Sequence, residues 1–329
     1  MQLYAGGRRK GLSFSAGRAI YFGMFSHTED FAGIIERATG RAPRSLEVIP
    51  TGWTNIVILA EMPDGQYFFR FPRDPFWAEM MPKDHAFVRY IRPRTSFEVP
   101  DMKLLRDEGR AFSMHRKIEG RSLQSAFADL DEGGMRRAAD GVARFVAEML
   151  ALPPDECPEE CNMKSSLFLK RLAETHFDRC EEVHHKRLVD AERASPHVVH
   201  GDLNPGNIIV DDKGSVVGII DFCFAGIGGE MMDISRVVGR SPEAFRAPFM
   251  DALSNQGVRL DMDEVSGLVD TWAYVEAGYI GFMRANHPEI VLPEASGGVG
   301  EPQLGRAEHL LGQGGAILGA VDLEGGERA

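Results

Sequence analysis

Between His200 and Asp221 the chain runs His-Gly-Asp-Leu-Asn-Pro-Gly-Asn, an apolar triplet, Asp211-Asp212-Lys213-Gly214-Ser215, a second apolar run, and Asp221. This segment limits the fold more than any other. The two apolar runs, Ile208–Val210 and Val216–Ile220, are too short and too close to be helices, and a turn at Gly214 makes them an antiparallel hairpin. Symmetry about Gly214 pairs Ile208 with Ile220 and sets Asn207 opposite Asp221. Opposed residues in such a pair have Cα atoms about 4.5–5.5 Å apart. An amide oxygen and a carboxylate therefore meet at the open end of the hairpin, and Asp202 lies on the loop leading into it.

Three converging oxygen-bearing side chains suit Mg2+, a hard cation that takes oxygen ligands and keeps several waters. Phosphoryl transfer needs a metal to offset phosphate charge and a carboxylate to orient the attacking hydroxyl. Asp202 and Asn207 have the Asp-x-x-x-x-Asn spacing of a kinase catalytic loop, and Asp221-Phe222 supplies the later carboxylate. A lone Asp-x-x-x-x-Asn also fits an ordinary surface hairpin. The His-Gly before it and the Ile-Asp-Phe after it separate the two readings.

His200–Val210 followed by Gly218–Phe222 resembles the aminoglycoside phosphotransferase family, a pattern shared with macrolide and choline kinases and closest here to 2″-aminoglycoside kinases. The resemblance spans roughly residues 45–285 in order, with only the catalytic stretch highly specific. It implies an α+β, protein-kinase-like bilobal fold: a small mixed β-sheet N-lobe and a larger, mainly helical C-lobe. It implies Asp202 as the catalytic base or hydroxyl-orienting residue, Asn207 and Asp221 as Mg2+ ligands, and Asp233, with His200, as support for the catalytic loop. ATP or GTP would be the co-substrate. Gly52-Trp53-Thr54-Asn55 is similar to the family's nucleotide loop, and Phe69-Arg70-Phe71-Pro72 to the strand that carries a phosphate-binding lysine. Arg116-Lys117-Ile118-Glu119-Gly120 resembles the segment linking the lobes, so the backbone of Lys117 and Ile118 would meet the purine.

Two positions depart from the family. Arg70 stands where lysine is usual, and Asp84 falls near the place of the usual helical glutamate; a longer cation with a shorter anion preserves the span of the pair. Gly228-Gly229-Glu230 replaces a common Gly-Asp-Pro, beside the acceptor site. Candidate acceptor carboxylates are Glu230, Asp270 and Glu276. Glu276 lies in an apolar stretch with Trp272, Tyr274 and Tyr279, where a charge needs a partner.

The rest of the chain fits around this centre. Residues 1–24 read as a flexible N-terminal arm with Met24 a plausible alternative start, 25–117 as the nucleotide-binding lobe, 118–290 as the catalytic and acceptor-binding lobe, and 291–329 as a Gly-rich C-terminal segment. Helical spacing covers His27–Thr39 with Thr28 as N-cap, Pro82–Ile91, Met135–Leu150, Ser166–Asp190, Met231–Val238, Pro242–Ser254, Asp263–Arg284 and, in the C-terminal segment, Leu304–Leu318. Strand patterns cover Leu46–Ile49, Ile56–Met62, Tyr67–Phe71 and Phe112–Ile118, with a turn at Pro63-Asp64-Gly65. No Gly-x-x-x-x-Gly-Lys-Ser/Thr and no Gly-x-Gly-x-x-Gly is present, which argues against a P-loop NTPase and a dinucleotide fold. The net charge of -12 disfavours nucleic acid and anionic membranes and leans towards a cationic acceptor. The absence of a secretory signal, with four cysteines, fits a reduced cytoplasmic setting, and the spacing of Cys157, Cys161, Cys180 and His184 matches no usual zinc pattern. The expected activity is Mg-dependent transfer of a nucleotide γ-phosphoryl group to a hydroxyl of an aminoglycoside-like small molecule. A macrolide or amino-alcohol acceptor, or a non-catalytic nucleotide-binding module, are the alternatives. Oligomeric state is not legible.

Overall fold

The computed structural model describes Phe25 and residues 30–49, 53–177 and 181–287. The expected arm, Gly52, Cys180 and Leu304–Leu318 lie outside these residues.

Helix α1 (Phe31–Thr39) opens on Asp30, whose side chain accepts from the Gly33 N–H, and closes on Gly40 in the left-handed conformation. The N-cap is thus Asp30 and not Thr28. Strands β1 (Ser45–Ile49), β2 (Asn55–Met62) and β3 (Gly65–Pro72) form a meander, and after helix α2 (Pro75–Ile91) come β4 (Lys103–Asp107) and β5 (Arg110–Arg116). The five strands make one antiparallel sheet in the order β1-β2-β3-β5-β4. Strand alternation divides its faces. Ile56, Ile58, Phe69, Phe71 and Phe112 bury one face together with Phe31, Ile34 and Ile35 of α1. Burying those three α1 side chains contributes roughly 5–8 kcal/mol. The other face carries Phe68, Arg70 and Asn55 from β3 and β2, with Ser113 and His115 of β5 in register beside Arg70 and Phe68.

Helix α2 begins seven residues before the expected start. Asp74 caps it by accepting from the Trp77 N–H, and Pro75 takes the first turn, where a missing N–H costs nothing. Pro82, read as a start, lies inside the helix.

The remainder is mostly helical. The short strand β6 (Arg121–Ser122) leads into α3 (Leu123–Ala126), α4 (Glu132–Leu150), α5 (Ser165–His176) and α6 (Glu182–Ala194). The expected continuous helix over Ser166–Asp190 is therefore two helices. Strand β7 (Pro196–Val199), the hairpin β8 (Ile208–Val210) and β9 (Val216–Ile219), and β10 (Gly226–Gly229) precede α7 (Met232–Arg240), α8 (Glu243–Asn255) and α9 (Met262–Asn286). Phe145 of α4, Phe245 and Phe249 of α8, Val237 of α7 and Leu268 of α9 share one buried core. Among the described residues no helix is long and apolar enough to cross a membrane.

Helix α2 joins the two parts. Asp74 meets His176 of α5 at 3.0 Å, the Trp77 indole N–H donates to the Tyr279 hydroxyl of α9 at 2.8 Å, and the Lys83 ammonium donates to the Cys223 carbonyl at 3.0 Å. Trp53, between β1 and β2, stacks on Tyr279 with ring centroids 6.2 Å apart. The strand carrying Arg70 is thereby held against the loop after β9.

Candidate active site

The loop after β7 is fixed from behind. Asp233, in the first turn of α7, accepts from the backbone N–H groups of His200 at 2.7 Å and Gly201 at 2.8 Å. Burial pushes the Asp233 carboxyl up, against the pull of His200 and of those two donors. His200 is fully buried: its Nε2 donates to the Ile220 carbonyl at 3.0 Å and its Nδ1 accepts from the Asp202 N–H at 3.2 Å. Gly201 has φ +79, and a Cβ there would fall 2.3 Å from the Phe224 carbonyl oxygen, so glycine is required both for the backbone conformation and for the close approach. This loop is thus pinned at two successive residues immediately before Asp202.

Asn204 then starts a 3-10 turn, accepting from the Gly206 N–H at 2.9 Å, and the turn delivers Asn207. The Asn207 amide nitrogen donates to the Asp202 carbonyl at 2.9 Å and to Asp202 Oδ2 at 3.2 Å. With its nitrogen so used, Asn207 keeps its Oδ1 as an acceptor.

The hairpin differs from the symmetric register by one residue. Ile208 pairs with Ile219, Ile209 with Gly218, and Val210 with Val216, leaving Val217 as a bulge. Two contacts cause the shift. Asp211 gathers the N–H groups of Lys213 and Ser215 at 2.9 and 2.8 Å, tightening the turn on its first side. Glu98 donates its N–H to the Val217 carbonyl and accepts from the Ile219 N–H, so β9 is gripped from outside the hairpin. Asn207 consequently lies across from Ile220, whose N–H it accepts at 2.9 Å, and Asp221 stands one position further along. Asp221 adopts φ +67, one of two non-glycine residues with positive φ among those described. Left-handed backbone costs a non-glycine residue roughly 1–2 kcal/mol, and such strain collects at functional sites.

Arg70 reaches across to this carboxylate. Its Nη2 donates to Asp221 Oδ1 at 2.7 Å and its Nη1 to Asp84 Oδ2 at 3.1 Å, so the expected Arg70–Asp84 ion pair forms and extends to Asp221. One guanidinium fork ties β3, α2 and the loop after β9 together. Burial works against the Arg70 charge, yet Asp221 and Asp84 outweigh it and hold its pKa above the ordinary value. Burial is the largest influence on the Asp221 carboxyl and pushes it up, but Arg70, Cys223 and His200 together outweigh it and leave that carboxyl below the ordinary value. Asp84 goes the other way: burial raises it more than Arg70 lowers it, and its Oδ1 is buried without a hydrogen-bond partner.

The other expected nucleotide residues line the same face of the sheet or its end. Asn55 is buried with its amide nitrogen on Thr54 Oγ1 at 2.8 Å. Lys117 donates its backbone N–H to the Gln66 carbonyl and its ammonium to Gln66 Oε1 at 3.0 Å, so that N–H is already engaged within the protein. Ile118 is buried. His115 is buried, with its Nδ1 on the Arg116 carbonyl, and burial brings its pKa down to about 4.

The acceptor carboxylates separate. Glu230 lies at Ser195, at the end of α6, and adds to the repulsion that burial and Asp261 impose on Glu264. Asp270 is exposed and faces His184 of α6. Neither bonds to the Asp202 group; six residues along α9 turn Asp270 to a different side from Glu276. Glu276 does join it, through a residue outside the expected set. Arg236 of α7 donates its Nε to Asp202 Oδ1 at 2.9 Å, bonds the same oxygen through Nη2, and donates its Nη1 to Glu276 Oε1 at 2.5 Å. Its guanidinium lies 4.4 Å from the Trp272 ring centroid. Arg240, one turn on, contacts both Glu276 oxygens. Arg236 and Arg240 have one signal in the sequence: two arginines at i, i+4 in an otherwise apolar helix just after the bracing Asp233.

The site therefore holds a carboxylate clamped by a guanidinium, an amide oxygen beside it, and a second carboxylate bonded to Arg70. Asn207 Oδ1 and Asp221 are hard oxygen donors, the type Mg2+ prefers. Among the described residues no group of three or more His, Cys, Asp or Glu side chains is arranged to hold a metal by itself. Any ion here would thus draw ligands from water or a bound phosphate as well.

The overall shape is similar to three solved structures. The GDP and kanamycin complex of an APH(2″) enzyme is 19% identical with TM-score 0.61, covering 88% of this chain and 99% of that one. The gentamicin complex of APH(2″)-IIa is 14% identical with TM-score 0.57, covering 82% and 95%. The macrolide 2′-phosphotransferase MphH from Brachybacterium faecium is 15% identical with TM-score 0.57, covering 80% and 98%. These likenesses establish the kinase-like fold. A search among curated proteins returned no match. The family model for the phosphotransferase enzyme family matches residues 45–268, and with that span, the fold and the loop geometry in agreement, the chain belongs to the phosphotransferase enzyme family.

Proposed function

We propose that this protein catalyses Mg-dependent transfer of the γ-phosphoryl group of ATP or GTP to a hydroxyl of a small molecule, with Asp202 as the residue that orients the hydroxyl and takes its proton. The observation that carries this reading is the state of Asp202. Its Oδ1 is held by Arg236, and its Oδ2 points to the Asn207 amide. In the reaction the acceptor oxygen forms a bond to the γ-phosphorus while the bond from that phosphorus to the β–γ bridging oxygen breaks. The hydroxyl proton passes to Asp202 Oδ2, and a nucleoside diphosphate leaves. The Arg236 clamp fixes the position of Asp202, which suits a loose transition state in which positioning matters more than proton abstraction.

Asn207 Oδ1 and Asp221 would hold the Mg2+, which when bound offsets the negative charge of the phosphates. Arg70 keeps Asp221 ionised and aligned for that role and presents the remaining guanidinium surface to the nucleotide, in place of the usual lysine. Trp53 and Asn55 would cover the phosphates, and the half-buried apolar face formed by Val57, Leu59 and Phe68 would take the base beside His115 and Ile118. An aminoglycoside is what the resemblance implies as acceptor, and two of the similar structures hold one. The charges around Asp202 in this chain lead elsewhere, as argued below.

The test is a set of hydroxyl acceptors, kanamycin included, incubated with ATP or GTP and Mg2+ and read by mass spectrometry for a phosphorylated product. Asp202→Asn is expected to lower transfer by about 10²–10⁴-fold, the usual contribution of a positioned acid–base group. Transfer by Asp202→Asn at the wild-type rate would sink the mechanism.

A further inference from the structure

The residues next to Asp202 also bear on what the acceptor carries. Glu276 is the one candidate acceptor carboxylate that reaches Asp202's network, and both of its oxygens are bonded to guanidinium groups: Oε1 to Arg236 and Arg240, Oε2 to Arg240. Asp202 Oδ1 is bonded to Arg236 as well. Two carboxylates and two guanidiniums thus cancel, and the group offers no unpaired negative charge to a cation. A polycationic acceptor would have to pull Glu276 away from two arginines and would leave them facing its own ammonium groups.

Arg240 is placed differently from Arg236. Arg236 is enclosed, with its side chain 8% exposed, whereas the Arg240 side chain is 39% exposed. Arg240 engages Glu276 through Nε and Nη2, which leaves the rest of its fork open for a planar anion. The two arginines are one turn apart on one face of α7, and side chains so spaced have Cβ atoms about 5–6 Å apart. Arg236, which holds Asp202, and Arg240 also share Glu276 Oε1, so a hydroxyl at Asp202 and an anionic group at Arg240 fit on one small molecule.

We propose that the acceptor is a small hydroxyl compound carrying a carboxylate or phosphate group, and that Arg240 is the residue that binds this anion. The proposal rests on the phosphotransfer reading given above. Glu276 acts as an internal stand-in, satisfying Arg240 until the acceptor arrives. An anion that contacts Arg240 compensates for part of what Glu276 gives up.

The experiment compares short primary alcohols of matched length that end in carboxylate, phosphate, carboxamide or ammonium, with kanamycin as a polycation. Turnover is read by product mass and by kcat/KM. The anionic series is expected to exceed the carboxamide series by about ten- to a hundredfold, the worth of one hydrogen bond to a charged group. Arg240→Gln should collapse that ratio, and Glu276→Gln should raise it by freeing Arg240. Opposite responses of two neighbouring variants exclude a general loss of folding. A second arm needs no turnover: malonate is titrated at constant ionic strength into protein loaded with Mg2+ and a non-hydrolysable nucleotide, and the thermal midpoint is followed. A saturable rise that Arg240→Gln abolishes is expected. Equal or better turnover of the ammonium series or kanamycin, an unchanged ratio in Arg240→Gln, or no malonate-dependent rise overturns the anionic acceptor. Failure to bind Mg-nucleotide at all, with no transfer to any series, instead overturns the phosphotransfer reading beneath it.

Discussion

Arg236 is the point where the catalytic loop, α7 and α9 are joined electrostatically, and replacing it by methionine tests that claim. Methionine keeps an unbranched stem against Trp272 and removes the charge. In the protein the Arg236 side chain is 8% exposed, and those of its partners Asp202 and Glu276 are 16% and 15% exposed. Removing one member of a buried ion pair costs about 3–5 kcal/mol, because the other charge stays buried without compensation. Glu276 retains Arg240, so Asp202 is the charge left exposed to this penalty, and the cation–π contact with Trp272 is lost too. Arg236→Met is therefore expected to lower the unfolding free energy by about 3–5 kcal/mol, read as a fall in the urea midpoint at unchanged slope. Asp202→Asn removes the charge that Arg236 compensates. The double variant Arg236→Met/Asp202→Asn should then be less damaged than the sum of the single variants, with a coupling of about 2–3 kcal/mol. Arg236→Lys should rescue only part of the loss, since one ammonium cannot bond Asp202 and Glu276 in the geometry of a fork. A cost below about 1 kcal/mol for Arg236→Met, or additivity within about 0.5 kcal/mol in the cycle, would refute the reasoning.

His115 gives a pH prediction. Its folded pKa of about 4 lies below the free value of 6.5, so the unfolded chain binds the extra proton. Its contribution is intact above pH 6.5 and is lost as pH falls towards 4, amounting to about 3 kcal/mol over the window. Urea midpoints of the wild type at pH 7 and pH 4.5 should differ by more than those of His115→Gln, and equal differences would remove His115 from the account. Arg70→Lys should cost about 1–3 kcal/mol of stability and raise the KM for nucleotide, because a single ammonium must replace two divergent bonds to Asp84 and Asp221. Wild-type stability and KM in that variant would show that the fork is not needed.

What could be read from the chain and what could not divide along one physical line. Local order within about twenty residues was legible. The Asp202–Asn207 spacing and the hairpin with its approach to Asp221 follow from neighbours along the chain. The Arg70–Asp84 pair was also legible, although the residues are 14 apart, because a cation on a strand and an anion on the next helix share one interior. Some failures were local, as at the N-caps Asp30 and Asp74, and the others involve a partner further away in the sequence. The register slipped by one because Asp211 tightens the turn locally and Glu98, over a hundred residues upstream, bonds the Val217 carbonyl and the Ile219 N–H. Strand β4 escaped notice because its Lys103 and Arg106 read as loop residues until pairing with β5 supplies the ladder. Arg236 is the sharpest case. Its helix predicts which way it faces, yet its partners lie 34 and 40 residues away on two different elements. A buried arginine in an apolar helix signals that a carboxylate must exist somewhere in the fold. Only the packing of α7 against the catalytic loop and α9 says that it is Asp202, and this identity changes the reading of the acceptor. Among the described residues Arg236 bonds both Asp202 and Glu276 and Arg240 bonds Glu276, and the proposed anionic acceptor follows from that pairing. A net charge of -12 describes the whole surface and carries no information on which side chains line one site.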